Sequence, residues 1–214
     1  VLGFAHCTQI SWGTTSFVYN AQNQGPNPSV TNSGGDNISF TVSGNSYKTV
    51  GNYTATISGL DNSNYTLDGA SSLTQNWSIT KKAILESQLV WRLNGSTKLS
   101  TEYNNSAHTI LATANSQAVG QGTVYDGKIY TGDTVTFTYT NNVKTLAATY
   151  TATITGLSNN NYSIGSFSKS FTIDKRVLTP TWDANTDFTY NGTRQGKTIS
   201  ITNLIASDFA NSYI

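Results

Sequence analysis

Cysteine, methionine and charge are scarce in this chain of 214 residues. It has a single cysteine, Cys7, and no methionine, and 11% of its residues are charged. One cysteine cannot form an intrachain disulfide, so packing and strand pairing must hold the fold together. The missing methionine predicts a processed or excised piece of a longer protein. No apolar run reaches the roughly 18 residues of a membrane span, which predicts no membrane insertion in this segment.

The charge balance argues against nucleic acid as a partner. The formal net charge is +1, and no cluster of Lys and Arg stands out. Binding to a phosphate backbone requires such a cluster. Thr, Ser, Asn and Gly replace the missing charge, and aromatic residues reach 11%. This composition is typical of folded β-domains with polar, uncharged surfaces rather than of disordered chains.

No group of residues predicts catalysis, a cofactor or a metal site. The acidic residues fall mostly in turns, and His6 and His108 lack partners at the spacing of metal ligands. A phosphate-binding loop and a nucleophile elbow are both missing. Asp61 to Asn64, followed by Asp68, offers oxygen atoms for calcium, but the spacing is not that of an EF-hand, and we interpret the segment as a turn. The sequence therefore predicts a protein that is not an enzyme.

An internal repeat dominates the sequence. Residues 53–67 (YTATISGLDNSNYTL) return as residues 150–164 (YTATITGLSNNNYSI), and NWSITKKAI at 76–84 returns as SFTIDKRVL at 170–178. Each copy is preceded by a Trp and a Tyr-Asn pair, and Trp182 with Tyr190-Asn191 begins a third copy. Repetition of this kind indicates a tandem array. We predict the end of a preceding segment at 1–8, repeat 1 at 9–83, repeat 2 with an expanded middle at 84–177, and an incomplete repeat 3 at 178–214.

The periodicity within each repeat predicts β-strands. Apolar and polar residues alternate over 38–42, 53–57, 134–139 and 150–154, as in strands with one buried face. Gly and Asn stretches separate these segments and indicate turns. The only helix-like stretch, Leu204 to Phe209, is short. The prediction is an all-β chain of small β-sandwich modules, joined by short linkers into an end-to-end rod.

The repeated motifs resemble those of a known group of modules. Tyr19-Asn20-Ala21-Gln22, Gly51-Asn52-Tyr53-Thr54-Ala55-Thr56, Asn64-Tyr65-Thr66-Leu67 and Trp77-Ser78-Ile79-Thr80-Lys81 are similar to motifs of tandem bacterial immunoglobulin-like and MBG-type modules. Those modules occur in large surface proteins and adhesins. The resemblance implies immunoglobulin-like modules, with β-grasp-like modules as the alternative. It also implies an extracellular location at the cell surface.

Three functions remain open from the sequence. The first is a non-catalytic structural stalk or spacer in a long bacterial surface protein. The second is a subunit of an extracellular filament or sheath assembled by interchain strand pairing, and the third is a carbohydrate- or host-binding adhesin module. The corresponding partners are neighbouring modules of the same protein, other copies of the chain, or glycans.

Differences between the copies indicate where a contact surface could lie. Aromatic residues shared by the copies are predicted to be core: Trp12, Tyr53, Tyr65, Tyr150, Tyr162 and Trp182. Tyr125 and Tyr130 lie in the expanded middle at about 114–132 and have no counterpart, so they form the predicted contact surface.

The basic pairs and the glycosylation motifs complete the candidates. Lys81, Lys82 and Lys175 are predicted to be exposed linker charges, because Lys is almost never buried without a partner. The alternative is a Lys–Asn isopeptide cross-link, which needs a buried Lys, an Asn and a carboxylate together. Eight Asn-x-Ser/Thr motifs are candidate glycosylation sites: Asn37, Asn52, Asn64, Asn76, Asn94, Asn104, Asn161 and Asn191.

Overall fold

A computed structural model describes residues 7–32, 38–62, 65 and 73–211. Strands and connecting turns make up almost all of this part of the chain, which confirms the all-β prediction. Its helices are two short 3₁₀ turns, η1 (Glu86–Gln88) and η2 (Ala206–Asn211). The strands are β1 (Cys7–Ser11), β2 (Ser16–Val18), β3 (Ser29–Asn32), β4 (Phe40–Ser43), β5 (Gly51–Leu60), β6 (Thr74–Thr80), β7 (Lys82–Ile84), β8 (Leu89–Leu93), β9 (Ser100–Glu102), β10 (His108–Ala114), β11 (Ser116–Gln117), β12 (Ile129–Tyr130), β13 (Phe137–Thr140), β14 (Val143–Lys144), β15 (Ala148–Leu157), β16 (Tyr162–Ile164), β17 (Ser168–Asp174), β18 (Pro180–Trp182) and β19 (Ile199–Ile201).

The strands form several small sheets rather than one large one. The two largest have four strands each, in the orders β2-β6-β5-β4 and β13-β15-β17-β9. A third sheet has the order β14-β10-β8, and the pairs β1-β3, β11-β12, β16-β7 and β18-β19 stand as two-stranded ribbons.

The chain divides into two compact units that do not follow the repeat boundaries. Unit 1 comprises 1–90, 113–138 and 154–167, and unit 2 comprises 91–112, 139–153 and 168–214. Unit 1 therefore combines repeat 1 with parts of repeat 2. Unit 2 combines the rest of repeat 2 with the beginning of repeat 3.

The four-stranded sheet β2-β6-β5-β4 belongs to unit 1 and follows the predicted alternation. β5 pairs antiparallel with β6, with Tyr53 opposite Trp77. Ala55, Ile57 and Trp77 are buried on one face, while Asn52 on the other face is exposed. Side chains point to opposite faces with a period of two, so the Tyr-Thr-Ala-Thr-Ile motif buries every second residue.

The core of unit 1 takes residues from both repeats. Trp12 and Tyr19 of repeat 1 pack in one buried cluster with Tyr130 and Tyr162 of repeat 2. β16 pairs in parallel with β7, so that Tyr162 lies opposite Lys82. A single hydrophobic core thus joins the residues of two successive repeats.

Unit 2 also combines antiparallel and parallel strand pairing with buried side chains. Within it, β17 pairs antiparallel with the first part of β15 and in parallel with β9. Trp91, Ile110 and Phe171 are among its buried side chains. Trp91 also meets Tyr139 edge-on, with ring centroids 6.1 Å apart.

The shared aromatic residues are only partly core. Trp12, Tyr65 and Tyr162 are buried as predicted. Trp182 is 60% exposed, so the core prediction is wrong for this residue. It lies in β18, which pairs with β19 in a two-stranded ribbon, and such a ribbon has no second layer to bury a side chain. Tyr53 and Tyr150 are half-buried, and their hydroxyls donate to the carbonyls of Thr49 and Leu146, each four residues earlier.

Candidate functional site

Polar side chains converge in unit 1 where segments of repeats 1 and 2 pack together. We call this cluster the junction and define it as Tyr19, Lys82, Asp126, Tyr130, Asp133 and Tyr162. Tyr19 and Lys82 come from repeat 1, and the other four come from repeat 2. Buried polar groups have to satisfy one another, because an unpaired one is costly.

One half of the junction is a tyrosine–aspartate network. The hydroxyls of Tyr19 and Tyr162 both donate to Asp133 Oδ2, at 2.9 and 2.6 Å. The Tyr162 hydroxyl also accepts the backbone N–H of Tyr130 at 2.8 Å. The Tyr19 ring lies edge-on to both other tyrosine rings, with centroids 5.5 and 6.1 Å apart. These contacts fix the three rings and one carboxylate in a single arrangement.

Burial and charge together change the acidity of the two phenols. Tyr19 and Tyr162 are 1% and 0% exposed. Burial, reinforced by the Asp133 carboxylate, raises the pKa of each phenol well above its ordinary value. Both effects act in the same direction, because a phenolate here would be desolvated and would face a negative charge. The tyrosines are therefore held neutral and remain hydrogen-bond donors.

The other half of the junction is a buried lysine. Lys82 is 0% exposed, and its Nζ donates to Asp126 Oδ1 at 2.9 Å and to the Thr123 carbonyl at 3.3 Å. Nζ also lies 4.3 Å from the centroid of the Tyr130 ring, within the range of a cation–π contact. The prediction that Lys82 is an exposed linker charge is wrong, whereas Lys81 is exposed as predicted.

A signal for the burial of Lys82 was present in the sequence. Lys82 precedes Ile84 by two residues, so both side chains point to the same face of β7, and both are buried. The carboxylate that neutralises Lys82 lies 44 residues away in the expanded middle of repeat 2. Neither the spacing nor the composition indicated that partner.

The Asp126 carboxyl is the counter-ion of Lys82, and its pKa is lowered accordingly. Burial acts to raise its pKa, but hydrogen bonds from Lys82 Nζ and the Lys128 N–H outweigh burial, and the pKa lies below its ordinary value. Lys82 thus has the burial and the neighbouring carboxylate that an isopeptide cross-link needs, and the structure shows the two groups as an ion pair. The cross-link itself stays a prediction.

The expanded middle of repeat 2 delivers these residues to the junction. Within it, β11 and β12 pair in parallel, with Gln117 opposite Tyr130. The turn between them carries Asp126 inward and leaves Tyr125 73% exposed. Gly127 follows with a φ of 78°, and a Cβ there would meet Leu85 Cβ at 2.5 Å, so the turn requires glycine.

The structure separates the two predicted contact residues. Tyr130 is 3% exposed and belongs to the core, which corrects the prediction of a surface role for it. Its ring is covered by Lys82 and Tyr19. The predicted contact surface is therefore reduced to Tyr125, whose role stays a prediction.

The candidate glycosylation sites fall into two groups. Asn161 is half-buried, and its Oδ1 accepts the Val50 N–H. The other described candidates are exposed: Asn52, Asn76, Asn94, Asn104 and Asn191. Asn37 and Asn64 lie outside the described residues.

This grouping predicts an order of modification. We expect that, in a host with an oligosaccharyltransferase, Asn52, Asn76, Asn104 and Asn191 will be occupied before Asn161, because a glycan on Asn161 would displace a half-buried amide from its bonds. Site-by-site occupancy measured by mass spectrometry tests this. Equal occupancy of Asn161 and Asn104 would contradict it.

A second surface feature is an open groove on the polar face of β5 and β6. It has a volume of about 520 Å³ and is lined by residues that include Asn52, Thr54, Asn76, Tyr53 and Trp77. The Thr54 hydroxyl donates to Asn76 Oδ1 at 2.8 Å. The amide and hydroxyl groups of Asn52, Thr54 and Asn76 can hydrogen-bond polar molecules such as sugars.

The described residues contain neither a metal-binding cluster nor a membrane-spanning helix. Across 7–32, 38–62, 65 and 73–211, no three His, Cys, Asp or Glu side chains are grouped so as to hold a metal ion. The predicted turn at Asp61 is held by the Ser39 hydroxyl, which donates to its carboxylate at 2.6 Å. Within the described part of the chain, no helix is long and apolar enough to cross a membrane.

Comparison with known proteins assigns no relative. The chain matches no family model, no curated protein and no solved structure. The chemistry of the junction must therefore be interpreted from its own geometry. Its phenols, carboxylates and ammonium group are directed at one another, which is an arrangement for holding two repeats together.

Proposed function

We propose that the chain is a non-catalytic structural stalk or spacer of a long bacterial extracellular surface protein. Each repeat would be a small β-sandwich of immunoglobulin-like type, with a β-grasp-like module as the alternative. The observation that carries the proposal is the junction, where two successive repeats share one core and one buried polar network. A stalk must transmit force from one module to the next, and a shared core resists separation better than a flexible linker does.

Two features of the junction support a mechanical role. The network of Tyr19, Asp133 and Tyr162 needs residues from both repeats to be satisfied. Lys82 similarly depends on Asp126 from the next repeat. Separation of the repeats would leave these groups unpaired, which is more costly than losing apolar contact alone.

The proposal predicts that repeat 1 cannot keep its stability without repeat 2. A chain truncated after Ile84 loses Tyr130 and Tyr162 from its core, so we expect it to unfold at a markedly lower denaturant concentration than the full chain. Trp91→Phe and Trp182→Phe in the full chain leave Trp12 and Trp77 of repeat 1 as the fluorescent reporters of this transition. Identical midpoints for repeat 1 alone and within the full chain would contradict the shared core and remove the basis of the proposal.

Solution behaviour separates the stalk from the two alternatives. A stalk segment is monomeric by sedimentation at micromolar concentration and binds no glycan on an array, whereas a filament or sheath subunit pellets. The polar groove lined by Asn52, Thr54 and Asn76 favours the adhesin alternative, as does the exposed Tyr125. An adhesin would bind a glycan and lose that binding in Tyr125→Ala or Asn76→Ala variants that melt like the wild type.

A further inference from the structure

Unit 2 repeats the pattern of contacts that joins the repeats in unit 1. The Tyr19 hydroxyl donates to Asp133 in unit 1, and the Tyr103 hydroxyl donates to Asp208 in unit 2, both at 2.9 Å. The Tyr19 N–H donates to the backbone carbonyl of Thr80, and the Tyr103 N–H donates to the backbone carbonyl of Asp174, both at 2.9 Å. Tyr103 is therefore the counterpart of Tyr19, as the Tyr-Asn motifs indicate.

The basic position is also repeated. Alignment of Ile79–Ile84 with Ile173–Leu178 places Arg176 where Lys82 stands. Lys82 Nζ bonds the Thr123 carbonyl, and Arg176 Nε donates to the Asn203 carbonyl at 2.8 Å. The segment that contains Asn203 and Asp208 in repeat 3 thus takes the place that the expanded middle takes in repeat 2.

One component of unit 1 has no counterpart in the described part of unit 2, namely β16. In unit 1, β16 lies in parallel along β7, and the Lys82 N–H donates to the Asn161 carbonyl at 3.0 Å. The Val50 N–H donates to Asn161 Oδ1, also at 3.0 Å. The side chain of Tyr162 then fills the space beside Tyr19.

A groove of about 500 Å³ lies at the equivalent place in unit 2. Its lining includes Tyr103, Ala147, Arg176, Leu178 and Asp208, and the first four correspond by alignment to Tyr19, Val50, Lys82 and Ile84. These residues include the Tyr103–Asp208 contact, so the groove is continuous with the existing contact between repeats 2 and 3.

Apolar side chains that line this groove are exposed, whereas their counterpart in unit 1 is covered by a strand. Ile84, which β16 covers, is 2% exposed, whereas its counterpart Leu178 is 44% exposed. Leu146, which also lines the groove, is 68% exposed. Apolar side chains of this size grouped in one groove indicate a surface that another segment covers.

We propose that this groove binds a β-strand of the Asn-Tyr-Ser-Ile type, supplied by repeat 3 in the way that repeat 2 supplies β16 to unit 1. The strand lies in parallel along Arg176 to Leu178, its tyrosine hydroxyl reaches Asp208, and its aliphatic side chain covers Leu178. The proposal rests on the proposed function, because it extends the same junction to the next position of the array.

The experiment extends the 214-residue chain at its C-terminus by a flexible Gly-Ser linker and a copy of residues 158–165 (SNNNYSIG). Tethering keeps the strand at a high effective concentration. We expect amide hydrogen exchange at Arg176 and Leu178 to slow at least about tenfold, because a parallel ladder would bond these amides as it bonds Lys82. The matched control carries SNNNSSSG, which lacks the tyrosine and the isoleucine.

A second variant tests the groove rather than the strand. Leu178→Asp changes an exposed side chain, so the unextended variant should melt like the wild type, but the extension should no longer slow exchange. Equal protection by both extensions, or full protection in Leu178→Asp, would overturn the proposal. Dimerisation of the unextended chain through the groove would overturn the assignment to repeat 3, since a second copy would then be the occupant.

Failure of the docking strand can be distinguished from failure of the proposed stalk function. If the extension has no effect while repeat 1 still depends on repeat 2, only the docking strand is lost. If repeat 1 is fully stable alone, the shared junction fails, and the proposed function fails with it.

Discussion

Replacing Asp126 with Ala will lower the free energy of unfolding of unit 1 by about 3 kcal/mol, the lower end of the range for breaking a buried ion pair. The cost arises because Lys82 is fully buried and would keep only the Thr123 carbonyl and the Tyr130 ring as partners. The lower end applies because the Asp126 side chain is 21% exposed, so water screens part of the interaction. Denaturant unfolding measures the change by fluorescence in a background with Trp91→Phe and Trp182→Phe, where only Trp12 and Trp77 report.

A matched surface pair provides the control. In unit 2, Arg176 Nη1 lies 3.3 Å from Glu102 Oε1, and the two side chains are 32% and 55% exposed. Glu102→Ala should change stability by less than about 1 kcal/mol, because exposed ion pairs contribute little. The double variant Lys82→Met with Asp126→Leu should recover most of the loss, since it leaves no charge buried. An Asp126→Ala variant as stable as Glu102→Ala would show that Lys82 does not need its counter-ion.

The Asp126 variant also has a signature in pH. A carboxyl whose pKa is lowered by folding stabilises the folded state above its unfolded pKa of about 3.9 and loses that contribution as pH falls through the folded value. The difference in stability between wild type and Asp126→Ala should therefore be constant near neutral pH and shrink below about pH 4. A difference that persists unchanged in acid would indicate lost packing rather than a lost charge.

The sequence was most informative where local pattern decides the structure. The Tyr-Thr-Ala-Thr-Ile motif predicted β5 and β15, and its period of two predicted one buried face, on which Ala55 and Ile57 lie. The two copies also share a side-chain hydrogen bond that the alternation of apolar and polar residues does not predict. Tyr53 and Tyr150 each donate to a carbonyl four residues earlier. Such bonds are local, so two copies of the same motif reproduce them.

The junction was missed because its partners are distant in sequence. Tyr19 and Asp133 are 114 residues apart, and Lys82 and Asp126 are 44 apart. Composition assigned Lys82 to the surface, since a buried lysine is rare, and only the tertiary fold supplies the carboxylate that permits burial. Tyr130 was placed on the surface because it is absent from repeat 1. Residues without a counterpart in the other repeat can equally well serve the contact between repeats.

Alkaline pH will destabilise unit 1 more steeply than it destabilises a variant that lacks the two buried phenols. The raised pKa values of Tyr19 and Tyr162 mean that the folded state keeps both protons after the unfolded chain has begun to lose them, at about pH 10. The stabilisation is complete below that pH and is lost as pH rises further. Each phenol that stays protonated in the folded state removes about 1.4 kcal/mol of stability per pH unit, so the pair removes about 3 kcal/mol per pH unit.

The slope, rather than the stability at one pH, identifies the network. A slope of this size is large against the roughly 5–15 kcal/mol by which native proteins are stable. Tyr19→Phe with Tyr162→Phe should flatten the dependence while lowering the stability at neutral pH, because Asp133 loses both hydroxyl donors. Tyr125→Phe, at a ring that is 73% exposed, serves as the surface control. Equal slopes for the wild type and the double variant would show that folding does not raise the pKa of the two phenols, which would contradict the buried network of Tyr19, Asp133 and Tyr162.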